Sequence, residues 1–196
     1  MLGWRSCALL SLLISTATYL ALEAVLTDLP SRKVDKLINL GDCVSGPLWP
    51  RETAELLMRL SWPTVRGNHD RWVTDWPPDK HYRSDAFAYE SSQLAWLRAL
   101  PATLEVGDEV FACHGRPDDD NAYLLENVEG GRLARARRAP AANYAVLQLS
   151  GDQASLEHIA IPYDHAAAAR RAEENQSPAW AHFLATGFAR NLANLA

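Results

Sequence analysis

The chain has 196 residues, 48% hydrophobic and 22% charged, the make-up of a globular protein with one domain's worth of core. A chain of this size buries about 70% of its unfolded surface, so neither disulfides nor structural zinc are needed to hold it together. With 19 Lys and Arg against 24 Asp and Glu the net charge is -5, and no long basic stripe runs along any segment, which argues against extended nucleic acid as a partner.

Cys7, Cys43 and Cys113 are widely spaced and form no Cys-x-x-Cys pair, so reduced thiols in a cytoplasmic protein are expected. Arg5, the apolar run Cys7 to Ile14 and the small residues Ser15 and Ala17 also have the outline of a signal peptide, which makes a secreted location the alternative. The uncharged stretch Ser6 to Leu22 has 17 residues, fewer than a bilayer-spanning helix needs, and no membrane partner is expected. Residues 1–19 are read as an atypical segment, an altered first strand or a leader, ahead of a single domain over 20–196.

Leu22, Val25, Leu26 and Leu29 share one helical face, which predicts a helix over Leu20 to Leu29 stopped by Pro30-Ser31. Val34 to Leu40 reads as a short buried strand ending at Gly41-Asp42. Pro50 to Leu60 is an amphipathic helix opening on proline, Pro63 to Arg66 a short strand, and Gly67-Asn68-His69-Asp70 the turn after it. A helix over Ser91 to Leu100 leads into strands Thr103 to Val106 and Glu109 to Cys113, joined by the hairpin signal Gly107-Asp108, and His114-Gly115 follows. Arg116 to Pro140 has little periodicity, and its Arg132, Arg135, Arg137 and Arg138 read as a solvated face rather than an anion site. Asn143 to Ser150 and Ser155 to Ile161 alternate as an antiparallel pair around Gly151-Asp152, and helices over Asp164 to Glu174 and Pro178 to Leu184 follow. Alternating helices and strands with polar residues at strand ends predict an α/β fold, a mixed sheet flanked by helices, with its site beyond the strand ends.

Gly41-Asp42, Gly67-Asn68-His69-Asp70 and His114-Gly115 each follow an apolar strand. Asp, Asn and His side chains delivered by separate strands can converge on one ion, and an adjacent glycine lets the backbone turn sharply beneath it. Taken singly, Asp42 reads equally as a turn residue, Asn68 as a helix cap and His114 as a hydrogen-bonded core histidine. His81, His158, His165 and His182 are read as surface or core residues, and Trp49, Trp62, Trp72 and Trp76 as packing, with Trp72 a candidate wall beside the site.

The ordered set resembles the calcineurin-like metallophosphoesterases, in particular their small prokaryotic phosphodiesterase-type branch. Asn39-Leu40-Gly41-Asp42-Cys43-Val44-Ser45-Gly46-Pro47 is similar to the family's Gly-Asp motif, Val65-Arg66-Gly67-Asn68-His69-Asp70 to its Gly-Asn-His-Asp/Glu motif, and Cys113-His114-Gly115 to its later metal-binding histidine. The likeness runs from about Leu20 to Pro117 and resumes near Asn143, through Pro162-Tyr163-Asp164-His165. It implies a truncated metallophosphoesterase-like domain acting on a small phosphate ester as a phosphodiesterase or phosphatase, with one or two divalent ions such as Mn, Fe, Ni, Zn or Mg. It also implies Asp42 as the bridging carboxylate, Asn68 and His114 as further metal ligands, and His69 as the group facing the leaving oxygen. Asp70 is a candidate to hold the His69 imidazole, although helix capping accounts for it as well.

Two family motifs are missing. No Asp or His precedes Asp28, so the early Asp-x-His is absent, and no Gly-His-x-His occurs. On this count one metal keeps only Asp42, while the other keeps Asp42, Asn68 and His114, and a complete pair of ions cannot be assembled. Activity below that of a complete relative is expected, with a catalytically silent binding or regulatory module as the alternative. Codons for Asp-Ile-His-Gly-Asn, read one base late, spell the Ile-Ser-Thr-Ala-Thr of Ile14 to Thr18, so a local frame shift within Leu13 to Thr18 is the expected origin of the first loss.

Overall fold

In a computed structural model, the structure describes residues 7–10, 18–44, 46–75, 89–108, 110–122, 141–150 and 153–187. Ser45, Trp76, His81, Glu109, the four loop arginines, Gly151-Asp152 and Leu13 to Ala17 of the proposed frame shift lie outside the described residues.

Strand β1 (Cys7–Leu10), within the stretch read as an altered first strand or a leader, pairs in parallel with β2 (Leu37–Asn39). It pairs on its other side, antiparallel, with β5 (Ala141–Ser150), and β5 runs antiparallel to β6 (Gln153–Pro162) over ten residue pairs, giving a mixed sheet in the order β2-β1-β5-β6. The hairpin β3 (Thr103–Val106) and β4 (Val110–Cys113) forms a second, two-stranded sheet. The expected strand Pro63 to Arg66 is reduced to one parallel bridge, Asn39 to Thr64, because Pro63 offers no N–H and Arg66 donates instead to the Pro101 carbonyl at 2.7 Å.

Helices α1 (Tyr19–Asp28), α2 (Pro50–Leu60) and α4 (Ser91–Ala99) cover one face of the larger sheet. Their Leu22, Val25, Leu57 and Leu97 pack with Tyr144, Val146 and Ile159 of the β5–β6 ribbon in one core. Pro30 cannot continue α1, which ends in a 3-10 turn over Leu29–Ser31. Pro50 starts α2 at its first turn, and α4 opens on a reciprocal bond pair between Glu90 and Gln93. Successive β2 residues point to opposite faces, so Leu37 joins the helical core while Ile38 packs with Val65 and Ala112 beneath the hairpin. This double burial accounts for the adjacent apolar pair Leu37-Ile38 in the sequence.

The closing helices α5 (His165–Glu174) and α6 (Pro178–Thr186) pack through Ala168, Ala169, Ala172 and Ala181, small side chains that allow close approach. Asp164 caps α5 by accepting from the Ala167 N–H at 2.8 Å. From there Asn175 donates to the carbonyl of Pro47 at 2.6 Å, tying α5 to the loop that follows Asp42. No helix among the described residues is long and apolar enough to cross a membrane.

Candidate active site at the sheet rim

Because β1 and β2 are parallel, both deliver their C-terminal ends to the same rim, where the chain turns through Gly41 and Asp42 at φ +92° and +57°. A side chain at Gly41 would approach the Gly67 nitrogen to 2.5 Å, and one at Gly67 would meet an Asp42 carboxylate oxygen at 2.2 Å, so both glycines are required by the close approach of the two loops. Asp42 is held in the left-handed region, a sparsely populated one for a residue with a side chain.

Asp70 does the holding. Its fully buried carboxylate accepts the backbone N–H groups of Asp42 at 2.8 Å, Cys43 at 2.7 Å and Gly67 at 2.9 Å. Burial and then the neighbouring Asp42 charge push its pKa up to about 7 against the pull of those three bonds. The expected role of steadying the His69 ring is therefore corrected: Asp70 clips the Gly41-Asp42 turn to Gly67, and its bond to the Gly67 N–H is the helix-capping alternative. Gly67 to Asp70 is also corrected from a turn, since α3 (Asn68–Asp75) begins at Asn68 itself. A second clip comes from buried Asn39, whose amide accepts from the Gly41 N–H at 3.2 Å and donates to the Cys43 sulfur at 3.2 Å.

Above this scaffold three side chains meet. His114 Nε2 lies 3.1 Å from Asn68 Oδ1 and 3.4 Å from Asp42 Oδ2, while Nδ1 faces the Leu40 carbonyl at 2.7 Å. Both ring nitrogens thus face acceptors. Burial disfavours the imidazolium, but the hydrogen bond and charge of Asp42, helped by Leu40, outweigh it and raise the His114 pKa to about 9. The His69 N–H donates to the other Asp42 oxygen, Oδ1, at 3.0 Å. The half-buried His69 ring packs on Trp72 with centroids 4.6 Å apart, one helical turn along α3.

One carboxylate, one amide oxygen and one imidazole fit a single divalent ion, with the Leu40 carbonyl fixing the tautomer that frees Nε2 for ligation. They do not fit two. Among the described residues no group of three or more His, Cys, Asp or Glu is placed to hold a metal, and Asn68 is needed to complete the set. His158 is exposed on β6, while His165 and His182 lie on α5 and α6. Nothing in the sequence reading singled out Arg71, Asp120 or Asn121. Arg71 grips both Asp120 oxygens at 2.7 Å, and Asn121 accepts from the Asn68 amide at 3.3 Å. The acidic run Asp118 to Asp120, directly after the third strand-end motif, was the available signal.

The comparisons with known proteins identify the family to which this fold belongs. The family model for calcineurin-like phosphoesterases matches residues 16–176, and the chain belongs to that family, whose members generally use divalent metal ions. Its fold is similar to the crystal structure of a metallophosphoesterase from Sphaerobacter thermophilus, with a TM-score of 0.71 and 21% identity over 95% of this chain and 100% of that one. It is also 32% identical over 108 residues to an uncharacterized protein of Methanocaldococcus jannaschii, a stretch covering 50% of this chain and 44% of that relative. Family and fold together support a function of phosphoesterase type.

Proposed function

We propose that the chain is a metal-dependent phosphoesterase of reduced power, hydrolysing a small phosphate ester around one divalent ion held by Asp42, Asn68 and His114. The observation that carries this reading is the meeting of those three side chains within 3.4 Å of the His114 ring nitrogen. An ion there supplies positive charge that polarises a phosphoryl oxygen and favours deprotonation of water near neutral pH. Asp42 brings the negative charge, held in place by Asp70 from below. His69, half-buried on the same helix as Asn68, would serve as the proton donor to the leaving oxygen. The missing donors for a second ion remove half of the two-metal clamp, which is why turnover is expected to be slow.

Manganese titration followed by hydrolysis of bis(p-nitrophenyl) phosphate tests the reading. Binding of one ion is expected, with slow turnover falling about 100-fold or more in His69→Ala at unchanged melting temperature. A chain that takes up no manganese sinks the proposal. Binding without any hydrolysis assigns the silent binding module instead, and brisk turnover shows that other residues replace the missing ligands.

A further inference from the structure

An asparagine amide is useful as a ligand only when its oxygen, and not its NH2, faces the ion, and the two ends have nearly the same shape. Two neighbours can break that symmetry at Asn68, the His114 Nε2 that faces its oxygen at 3.1 Å and a relay on the opposite side that still acts when Nε2 is given over to an ion. The Asn68 NH2 donates to Asn121 Oδ1 at 3.3 Å, the Asn121 NH2 donates to Asp120 Oδ1 at 2.9 Å, and Asp120 receives both arms of Arg71 at 2.7 Å. An ionised carboxylate only accepts, so the chain of amides has one possible direction. Asn121 must turn its NH2 to Asp120 and its oxygen to Asn68, and Asn68 must then turn its NH2 outward and its oxygen to His114. Arg71 keeps Asp120 ionised, its hydrogen bond holding the carboxyl below the usual range against burial. Arg71 lies three residues after Asn68 on α3, so the latch and the residue it serves ride on one rigid element.

We propose that Asp120 and Asn121 are positioning residues that lock the orientation of the Asn68 amide, so that its oxygen faces His114. Their value to function rests on the reading of Asn68 as a ligand; the orientation itself does not. Asn121 is exposed and Asp120 partly so, and the relay works by direction rather than by strength. Asp120→Asn preserves shape while abolishing the accept-only end, and Asn121→Ala removes the middle link. Asp118→Ala is the control, since Asp118 pairs with Arg116 on the same loop, outside the relay.

Two measurements test the lock. In the metal-free protein, the side-chain amide resonances of Asn68 in 15N-labelled samples are expected as one set in the native chain and Asp118→Ala, and as shifted or doubled sets in Asp120→Asn and Asn121→Ala. Manganese affinity, measured without substrate, is expected to weaken about 10-fold or more in the latter two, with unchanged melting temperature. Unaltered Asn68 resonances in both relay variants overturn the lock. So does native manganese affinity in both. If the native chain binds no manganese, the single-ion reading falls, and the resonances alone decide whether the lock exists.

Discussion

The rim around Asp42 and the β5–β6 ribbon belong to the same sheet system and are built by opposite means. The ribbon places Tyr144, Val146 and Ile159 on one side and exposed residues such as Leu156 and His158 on the edge strand, with ten residue pairs in unbroken register. Its stability comes from apolar area removed from water. The rim holds a left-handed aspartate, two glycines in contact and a fully buried carboxylate, all costly by themselves. The left-handed aspartate and the buried carboxylate are offset by the three N–H bonds that Asp70 accepts. A site built this way is geometrically defined but sensitive, whereas a packed ribbon absorbs change more gradually.

The largest expected effect is that of Asp70→Ala. It leaves three backbone N–H groups without their acceptor, at about 1–3 kcal/mol for each that stays buried, so a loss of several kcal/mol and of all manganese binding is expected. A variant that melts like the native chain and still binds metal would show that the rim does not depend on these three bonds.

Ile159→Ala should cost about 2–4 kcal/mol in thermal unfolding through the cavity it leaves beside Tyr144. Unlike Asp70→Ala, it should leave the manganese affinity of the folded molecules unchanged. A large drop in that affinity would mean that ribbon and rim are coupled.

A third, smaller effect separates the regions by pH. The raised pKa of His114 means that the folded metal-free protein binds a proton more tightly than the unfolded chain. That contribution is complete below about pH 6.5, the unfolded value, and is lost as the pH rises through about 9. Asp70 has the same sign at lower pH: its contribution is full below about pH 4 and is lost as the pH rises through about 7. In the presence of a chelator the melting temperature should therefore fall between pH 6 and pH 9.5, and the fall should be smaller in His114→Gln. A melting temperature that rises over that range would contradict the arrangement of Asp42, Leu40 and His114.

The smallest effect is expected at the exposed edge. Leu156 is 53% exposed, and Leu156→Ser should change stability by no more than about 0.5 kcal/mol in denaturant titration. A loss of 2 kcal/mol or more would show that this side chain is covered in solution.

Much of the architecture was legible because period and punctuation are local. The helix over Pro50 to Leu60 was readable from its proline and its apolar face, and the hairpins from Gly107-Asp108 and from the alternation on either side of Gly151-Asp152. Val34 to Leu40 shortened to Leu37–Asn39, because pairing with the four-residue β1 reaches only those three residues and leaves the charged Asp35 and Lys36 outside the ladder. Asp42, Asn68 and His114 were legible as a set, since each stands at a strand end beside a glycine, and the structure brings them together.

What Asp70 does was not legible. A carboxylate one residue past His69 could steady an imidazole, cap a helix or grip a neighbouring loop, and sequence distance does not choose among them. The choice was made by the bridge from Asn39 to Thr64, which brings Gly41 against Gly67 and aims three N–H groups at one buried carboxylate. The same holds for Asn121, 53 positions from Asn68 and on an aperiodic loop. Which residues carry donors and acceptors, and where the chain turns, follow from side-chain chemistry and local backbone preference and are readable along the chain. Only the tertiary structure decided which donor meets which acceptor, because a hydrogen bond requires approach within about 3 Å, and that proximity is set by packing between segments far apart along the chain.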